Sequence, residues 1–572
     1  MGIGSSFSIG RSALAASQLG IQVSSNNLAN AATPGYARQV LGLAPVPGNF
    51  AGRGVSITGI QRQIDEALSA RLNGSISQAA AAEESLRILS GIETTLNELT
   101  DLDLSSELSA FFTSFSELAN GTQSQTQVIE QGELLAGFLQ RIREDLSEQR
   151  NQIDTGLGAL VDQADGLTEQ IAALNEQIAN TEGAGQQNNA LRDRRDELVR
   201  ELSELVEVSA VEQPSGAINV LIGSSPVVLG SRNQGLTLRE TPAGDSIERV
   251  VAVDATGQVL DIREGRIGGV LSSRDGELQS TIDTLDELAG SLIFEINRLH
   301  STGATAEGLT EIRSSLLASP GDQSLALNDP LNRSLADGVF APSNGGFVVR
   351  VQDTASGAIS TTRIDIDLDG IDSTGAAGFG DDTSIADIAA QLDAVSGLTA
   401  AVAPDGRLTI SAEPGASFSF GDDTAGVLAV LGVNSYFEGT DAGSIRVRQD
   451  LRGDPAGLMT GRYVGGAFVE NATSLAIAER QDTASDLLGG DSIGAFWQSR
   501  VQQNAVRTAT AASVAEASSI VRDNLDSERL ALSGVDSDEE ALQLLAFQRQ
   551  YQGAARIIQT SNDLLDELLA IV

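Results

Sequence analysis

The stretch LLAFQRQYQGAARIIQTSNDLLDELLAIV, residues 544–572, decides how this chain is read. Leu544, Tyr551, Ile558, Leu565 and Val572 recur every seven residues, and Phe547, Ala554, Ser561 and Leu568 follow three positions behind them. Two apolar rows in that register form an a/d seam, the spacing by which one helix lies along another. Ser537 and Glu540 fit a capping box at the start, with Asp538 and Glu539 beside the positive end of the helix dipole. So narrow a stripe predicts a helix that needs a partner.

The other end of the chain offers one. Phe7, Leu14, Ile21 and Leu28 make a second seven-residue row, set among Ala, Ser, Gln and Asn. Residues 1–64 carry Arg11, Arg38, Arg53 and Arg62 with no carboxylate, whereas residues 536–572 carry seven acids against Arg549 and Arg556. Opposite charge favours pairing the two helices, although salt screens most of the surface contribution. The same periodicity would equally serve two terminal helices lying on an ordinary core.

Composition narrows the partners. A formal charge of −42 over 572 residues makes nucleic acid and anionic membranes poor candidates, and the length suggests three or four domains. No run of 18 apolar residues exists to span a membrane. The N-terminal segment lacks a continuous apolar region and a cleavage site, so no conventional secretory signal is expected. With no Cys there is no disulfide framework and no thiolate chemistry. Aromatic content of 4% with 60 Gly points to long helices and turn-rich β modules rather than a large enzyme core.

The first helix should stop at Asn30-Ala31-Ala32-Thr33-Pro34-Gly35-Tyr36, where Pro cannot continue a helix and Pro-Gly suits the centre of a type II turn. Just before it, Asn26, Asn27 and Asn30 are poor helix formers and are expected to serve specific hydrogen bonds. From Arg38 to Ile60 the chain reads as short strands punctuated by Pro45, Pro47, Gly52 and Gly54. Residues 24–36, SSNNLANAATPGY, resemble the N-terminal signature of bacterial flagellar rod, hook and hook-associated proteins. Asn26, Asn27, Leu28, Asn30, Thr33, Pro34, Gly35 and Tyr36 carry that resemblance. Residues 533–569, with Phe547-Gln548 and Tyr551 to Arg556, resemble the matching C-terminal signature.

Between the ends, residues 65–211 read as mainly helical. Ile153, Leu157, Leu160, Ala164, Leu167, Ile171, Leu174 and Ile178 alternate steps of four and three, and Leu191, Leu198, Leu202 and Leu205 resume after Gly183-Ala184-Gly185. An antiparallel helical hairpin bending at those glycines is expected. Short β runs follow over 207–262, then a helix from about Gly269 to His300. The segment 268–300, with Gly268-Gly269-Val270-Leu271, Leu285 to Leu288 and Asn297 to His300, is similar to an internal signature of the hook-associated branch of that family. That branch supplies the first of the two subunit types joining hook to filament. Residues 341–440, with 14 acids and 3 Arg, read as an inserted acidic α/β module projecting into solvent. A further β-like stretch spans 444–469, and helix resumes from about Thr483 to Leu532.

No stretch marks an active site. Asp365-Ile-Asp367-Leu-Asp369-Gly370 imitates the start of a calcium loop, but the twelfth position is Ala376 and the flanks read as strand and loop, so no metal is expected. His300, the one His, has no Cys or second His for a zinc site and no recognisable triad, so it is read as packed or exposed at a helix end. Trp497 is expected to anchor a core or a subunit contact.

The expected fold is multidomain α+β: terminal α-helical coiled coil, a long helical-bundle domain, and inserted β-rich outer domains. The boundaries are 1–35 with 535–572 for the paired ends, 36–206 with 263–300 and 480–534 for the helical domain, 207–262 with 301–340 and 441–479 for a β-rich domain, and 341–440 for the acidic outer domain. The resemblance implies a structural, non-enzymatic, cofactor-free subunit at the hook–filament junction. It also implies copies of itself in a ring, hook protein on one side and the next hook-associated protein or filament on the other. Type III export to the extracellular flagellum, with a chaperone on the C-terminal segment, completes the picture. The assembly seam is then Phe7, Leu14, Ile21 and Leu28 with Leu544, Phe547, Tyr551, Ile558, Leu565 and Leu568, and both ends are expected to order only against neighbouring subunits. The alternatives are a hook or distal-rod subunit and, in a different class, a secreted adhesin or enzyme built on the acidic module.

Overall fold

Segments far apart in sequence assemble into two packing units in the computed structural model: Met1–Ile88, Gln152–Asp275 and Ala509–Val572 in the first, Leu89–Asn151 and Gly276–Thr508 in the second. The structure describes residues 3–47, 53–96, 103–182, 187–243, 246–335 and 340–571. The expected bend glycines Gly183 and Gly185, together with Gly52, Val572 and the side chain of Leu568, lie outside them.

In the first unit a helix over Ile3–Ala29 is followed by an antiparallel hairpin, Gln39–Pro45 with Val55–Arg62. The helical hairpin forms from Gln125–Glu182, whose second half belongs here, and Asn189–Leu205. Ile153, Leu157, Leu160, Ala164, Leu167, Ile171 and Ile178 are all buried, as their spacing predicts. Leu174 is only half-buried because its neighbour Asn175 points inward instead. The Asn175 amide accepts from the Ile218 N–H at 3.0 Å and donates to the carbonyls of Ile218 and Gly230, both at 2.7 Å. This helix face therefore holds a sheet as well as a helix: the four antiparallel strands Ser209–Glu212, Ile218–Ile222, Ser225–Leu229 and Arg232–Asn233. A second hairpin, Leu236–Ala243 with Ser246–Val253, follows.

The return helix buries charge rather than exposing it. Arg192 pairs with Glu182 at 2.8 Å and Glu212 at 3.0 Å, and Arg62 with Asp193 at 3.0 Å and Asp196 at 2.7 Å. Burial pushes the Asp193 carboxyl up, opposed by its bond to Arg62. A run of charges such as RDRRDE reads in sequence as a solvated face; here removing one partner would strand the other away from water.

The second unit centres on aromatic rings. The helix Leu104–Ala119, capped by Asp103 on the Ser106 N–H, presents Phe111, Phe112 and Phe115, and Tyr436 and Phe437 close over them. Trp497 is buried, as expected of an anchor. The acidic module contains two three-stranded antiparallel sheets, one of which recruits Glu311–Arg313 as its edge. Its core includes Ile312, Ala318 and Leu327 beside Phe347, Ile388, Phe418 and Phe420, so this packing starts before residue 341. A capping box between Ser384 and Asp387 opens its helix, Ile385–Asp393.

His300 is fully buried near the end of the helix Gln279–Ser301. Nδ1 donates to the Asn434 carbonyl at 2.7 Å and Nε2 accepts from the Met459 N–H at 3.1 Å, which specifies a neutral ring. Burial pushes its pKa down to about 3. An unfolded His titrates near 6.5, so the unfolded chain binds the extra proton first and stability falls as pH drops from about 6.5 toward 3. Between pH 7.5 and 5 the loss is about 2 kcal/mol. Burial raises the Asp286 and Asp423 carboxyls, which act in the opposite sense, so the slope due to His300 is isolated by comparison with His300→Gln. Urea titrations at both pH values should show the variant losing less stability than the native chain; equal losses would refute the assignment.

Candidate assembly interface

The terminal helices, Ile3–Ala29 and Ser537–Ile571, pair within one chain. A methyl group placed on Gly20 would meet the Phe547 ring at 2.6 Å, and one on Gly10 would meet Ile558 Cγ1 at 2.9 Å and Ile557 Cγ2 at 3.2 Å. Contact positions that rise along one helix while falling along the other make the pair antiparallel. Glycine inside a helix costs roughly 0.5–1 kcal/mol relative to Ala, so two of them at the contact points serve close approach. Gly20→Val should therefore drive the helices apart while sparing the second unit, read as a loss of the amide protection that 544–565 has in the assembled protein. Retained protection in that variant would contradict the packing.

Several of the expected seam residues sit at or beside this contact. Ala554 and Ser561 are buried and Phe547 is half-buried, whereas Leu544 and Ile558 flank them half-covered. Tyr551 and Leu565 are 39% and 45% exposed. On the N-terminal helix, Leu14 and Ile21 are half-buried, and Phe7 and Leu28 remain 39% and 42% exposed. The buried positions there include Gly10, Ser17 and Ser24, at seven-residue spacing, with Gly20 and Asn27 in a second such row. The seam expected from large apolar residues omits this small-residue stripe, although its period is equally regular. Leu542, Leu545, Ile557, Leu564 and Leu569 are exposed as well. More than half of the exposed large apolar side chains among the described residues lie in 1–62 and 509–572.

A polar joint ties the start of the chain to its end. The asparagines act as expected, each through particular bonds. Asn27 is buried, donates from Nδ2 to the Gln39 carbonyl at 2.9 Å, and accepts at Oδ1 from the Gln39 N–H at 3.1 Å and the Tyr36 hydroxyl at 2.7 Å. Asn26 donates to the Tyr36 hydroxyl at 3.2 Å, Asn30 donates to the Asn26 carbonyl, and Thr33 donates to Asn30 Oδ1. The Tyr36 N–H returns to the Thr33 carbonyl, closing the expected Pro34-Gly35 turn with Gly35 at φ +76°, a conformation that favours glycine. Burial, reinforced by the Asp193 charge, pushes the Tyr36 phenol up to about 12, so it stays a donor.

One residue beyond Ala37, the Arg38 N–H donates to the Ser533 carbonyl at 2.9 Å, and its guanidinium pairs with Glu540 at 2.8 Å and Glu539 at 3.0 Å. The capping box expected from Ser537 and Glu540 does not form. Asp536 caps the helix instead, accepting from the N–H groups of Asp538 at 2.8 Å and Glu539 at 3.2 Å, and this frees Glu540 for Arg38.

Three family models match the chain: a flagellar hook-associated protein FlgK helical domain over residues 89–312, a flagellar basal body rod FlgEFG protein C-terminal segment over 526–571, and a flagella basal body rod protein over 7–36. The flagellar hook-associated protein 1 of Escherichia coli (strain K12) is 26% identical over 98% of both chains, and that of Salmonella typhimurium (strain LT2) is equally similar over the same share. The Bacillus subtilis (strain 168) protein of that name is 26% identical over 52% of this chain and 67% of its own length. A solved structure, the flagellar hook junction protein FlgK from Burkholderia pseudomallei, is 15% identical with a TM-score of 0.49, covering 81% of this chain and 100% of that one. Rod-type signatures at both ends, a hook-associated helical domain between them and relatives of one name along nearly the whole length identify the chain as a member of the flagellar hook-associated protein 1 family.

Proposed function

We propose that the chain is a structural subunit of the extracellular flagellum that forms the junction between hook and filament. The observation that carries this reading is the uncovered apolar surface on both sides of the terminal helix pair. Burying a large apolar side chain stabilises by about 1.5–3 kcal/mol, so covering five or six of those exposed on the C-terminal helix contributes on the order of 10 kcal/mol per subunit. Within one chain the contact buries mainly small residues of the first helix and leaves Phe547 and Ile558 only half-covered, so much apolar area stays open. The pair is therefore marginal until neighbours cover it, since fixing each backbone residue costs about 1–2 kcal/mol. Copies of the chain in a ring supply that cover, with hook subunits below and the next hook-associated protein above.

In this proposal the paired ends line the axis of the assembly. An export chaperone would shield the C-terminal segment before secretion. The role is mechanical, without catalysis.

Deleting the gene tests the function: hooks without filaments are expected, whereas missing hooks would indicate a hook or rod subunit instead. Hydrogen exchange tests the mechanism. Amides over 544–567 should exchange quickly in a dilute monomer and slowly after assembly. Full protection in the dilute monomer would refute ordering on assembly.

A further inference from the structure

The loop 367–383 of the outer module gathers carboxylates that the calcium-loop pattern alone did not connect. Ligand oxygens of Asp367, Asp369 and Asp382 lie within 4.8 Å of one another. Asp365, the first position of the pattern, turns away to pair with Arg363 at 2.7 Å. Ala376 cannot supply the ligand that a calcium loop takes from its twelfth residue, but Asp382 brings a carboxylate from the far end of the loop.

Asp382 is the telling member because it is 5% exposed. Its Oδ2 accepts from Asn328 Nδ2 at 2.6 Å and from the Gly370 N–H at 3.1 Å. Its Oδ1 is buried with no hydrogen-bond partner in the protein, and so is Oδ1 of Asn328. Buried oxygens without donors are costly, and two of them beside a pair of further carboxylates make a site short of positive charge. Among the described residues no Lys exists to supply it, and the Arg nearest in sequence, Arg363, is held by Asp365.

We infer that Asp367, Asp369 and Asp382, with the Asn328 amide oxygen, bind a divalent cation of the calcium type. The donors are all oxygen, which selects a hard cation. A cage made of protein oxygens favours calcium, because magnesium is smaller, demands near-ideal octahedral geometry and usually keeps several of its waters. The ion would clamp the loop against the segment around Asn328 and stiffen the outer module. Such sites in extracellular modules bind at roughly 10⁻⁴–10⁻³ M.

The test is calorimetric titration of the full chain, stripped with chelator, using calcium chloride and then magnesium chloride. One calcium per chain is expected, with magnesium weaker. Asp382→Asn and the exposed pair Asp367→Asn/Asp369→Asn should each weaken calcium binding by about 10–100-fold. Calcium should raise the melting temperature of the native chain and leave that of the exposed-pair variant unchanged. No saturable binding by the native chain, or equal affinity in the exposed-pair variant, would overturn the assignment. The exposed-pair variant keeps the test decisive even where Asp382→Asn fails to fold.

Discussion

Ile558→Asp leaves both packing units folded and abolishes assembly. Ile558 is half-buried against Gly10 within one chain, so a carboxylate there still reaches water in the free subunit. Once neighbours cover that face, the same carboxylate is buried without a partner, at an effective penalty of several kcal/mol. The segment 536–572 already carries seven acids against two Arg, so the new charge also finds like charge around it. The variant should be monodisperse, with native helix content and native melting of the second unit, yet hooks should remain bare and cells non-motile. Tyr551→Asp should behave alike, because Tyr551 belongs to the same row and is 39% exposed before assembly. Filament growth on hooks bearing the Ile558→Asp chain would remove the seam from the mechanism.

Much of this architecture could be read from residue spacing, because helix and strand periods leave direct marks. The alternating steps from Ile153 to Ile178 and the turn at Pro34-Gly35 appear where their patterns place them. Long-range polar partners leave no such mark. Nothing local in the sequence joins Arg38 to Glu540, or Asn175 to the backbone of Ile218, since each bond depends on how separate elements come together. Buried charge was hidden for a related reason: a charged run looks identical whether it faces water or closes a network such as Arg62 with Asp193. The small-residue stripe on the first helix was legible but carried little weight, because helix pairing is ordinarily sought in large side chains. Gly10 and Gly20 matter for the atoms they lack.

Asn27 is where the second large effect is expected. Its one amide serves three partners: the N–H and carbonyl of Gln39 and the hydroxyl of Tyr36. Asn27→Leu keeps the volume and leaves those part-buried groups unpaired, at about 1–3 kcal/mol each. The total, on the order of 3–5 kcal/mol, should detach the Arg38–Gln39 segment from the first helix and loosen the Arg38 contacts with Ser533 and Glu540. Exchange of the Gln39 amide reports it directly. Asn27→Asp separates hydrogen bonding from packing. When ionised, the introduced carboxylate accepts from the Gln39 N–H and the Tyr36 hydroxyl but has no proton for the Gln39 carbonyl, whereas the protonated acid can donate to it. Folding then raises the pKa of that carboxyl above its usual value near 3.9, so its stabilisation is complete below that value and lost as pH rises through the raised one. Protection of the Gln39 amide in Asn27→Asp should recover as pH falls from 7 toward about 4, and in Asn27→Leu it should not. Equal pH behaviour in the two variants would mean that the asparagine serves the joint by shape alone.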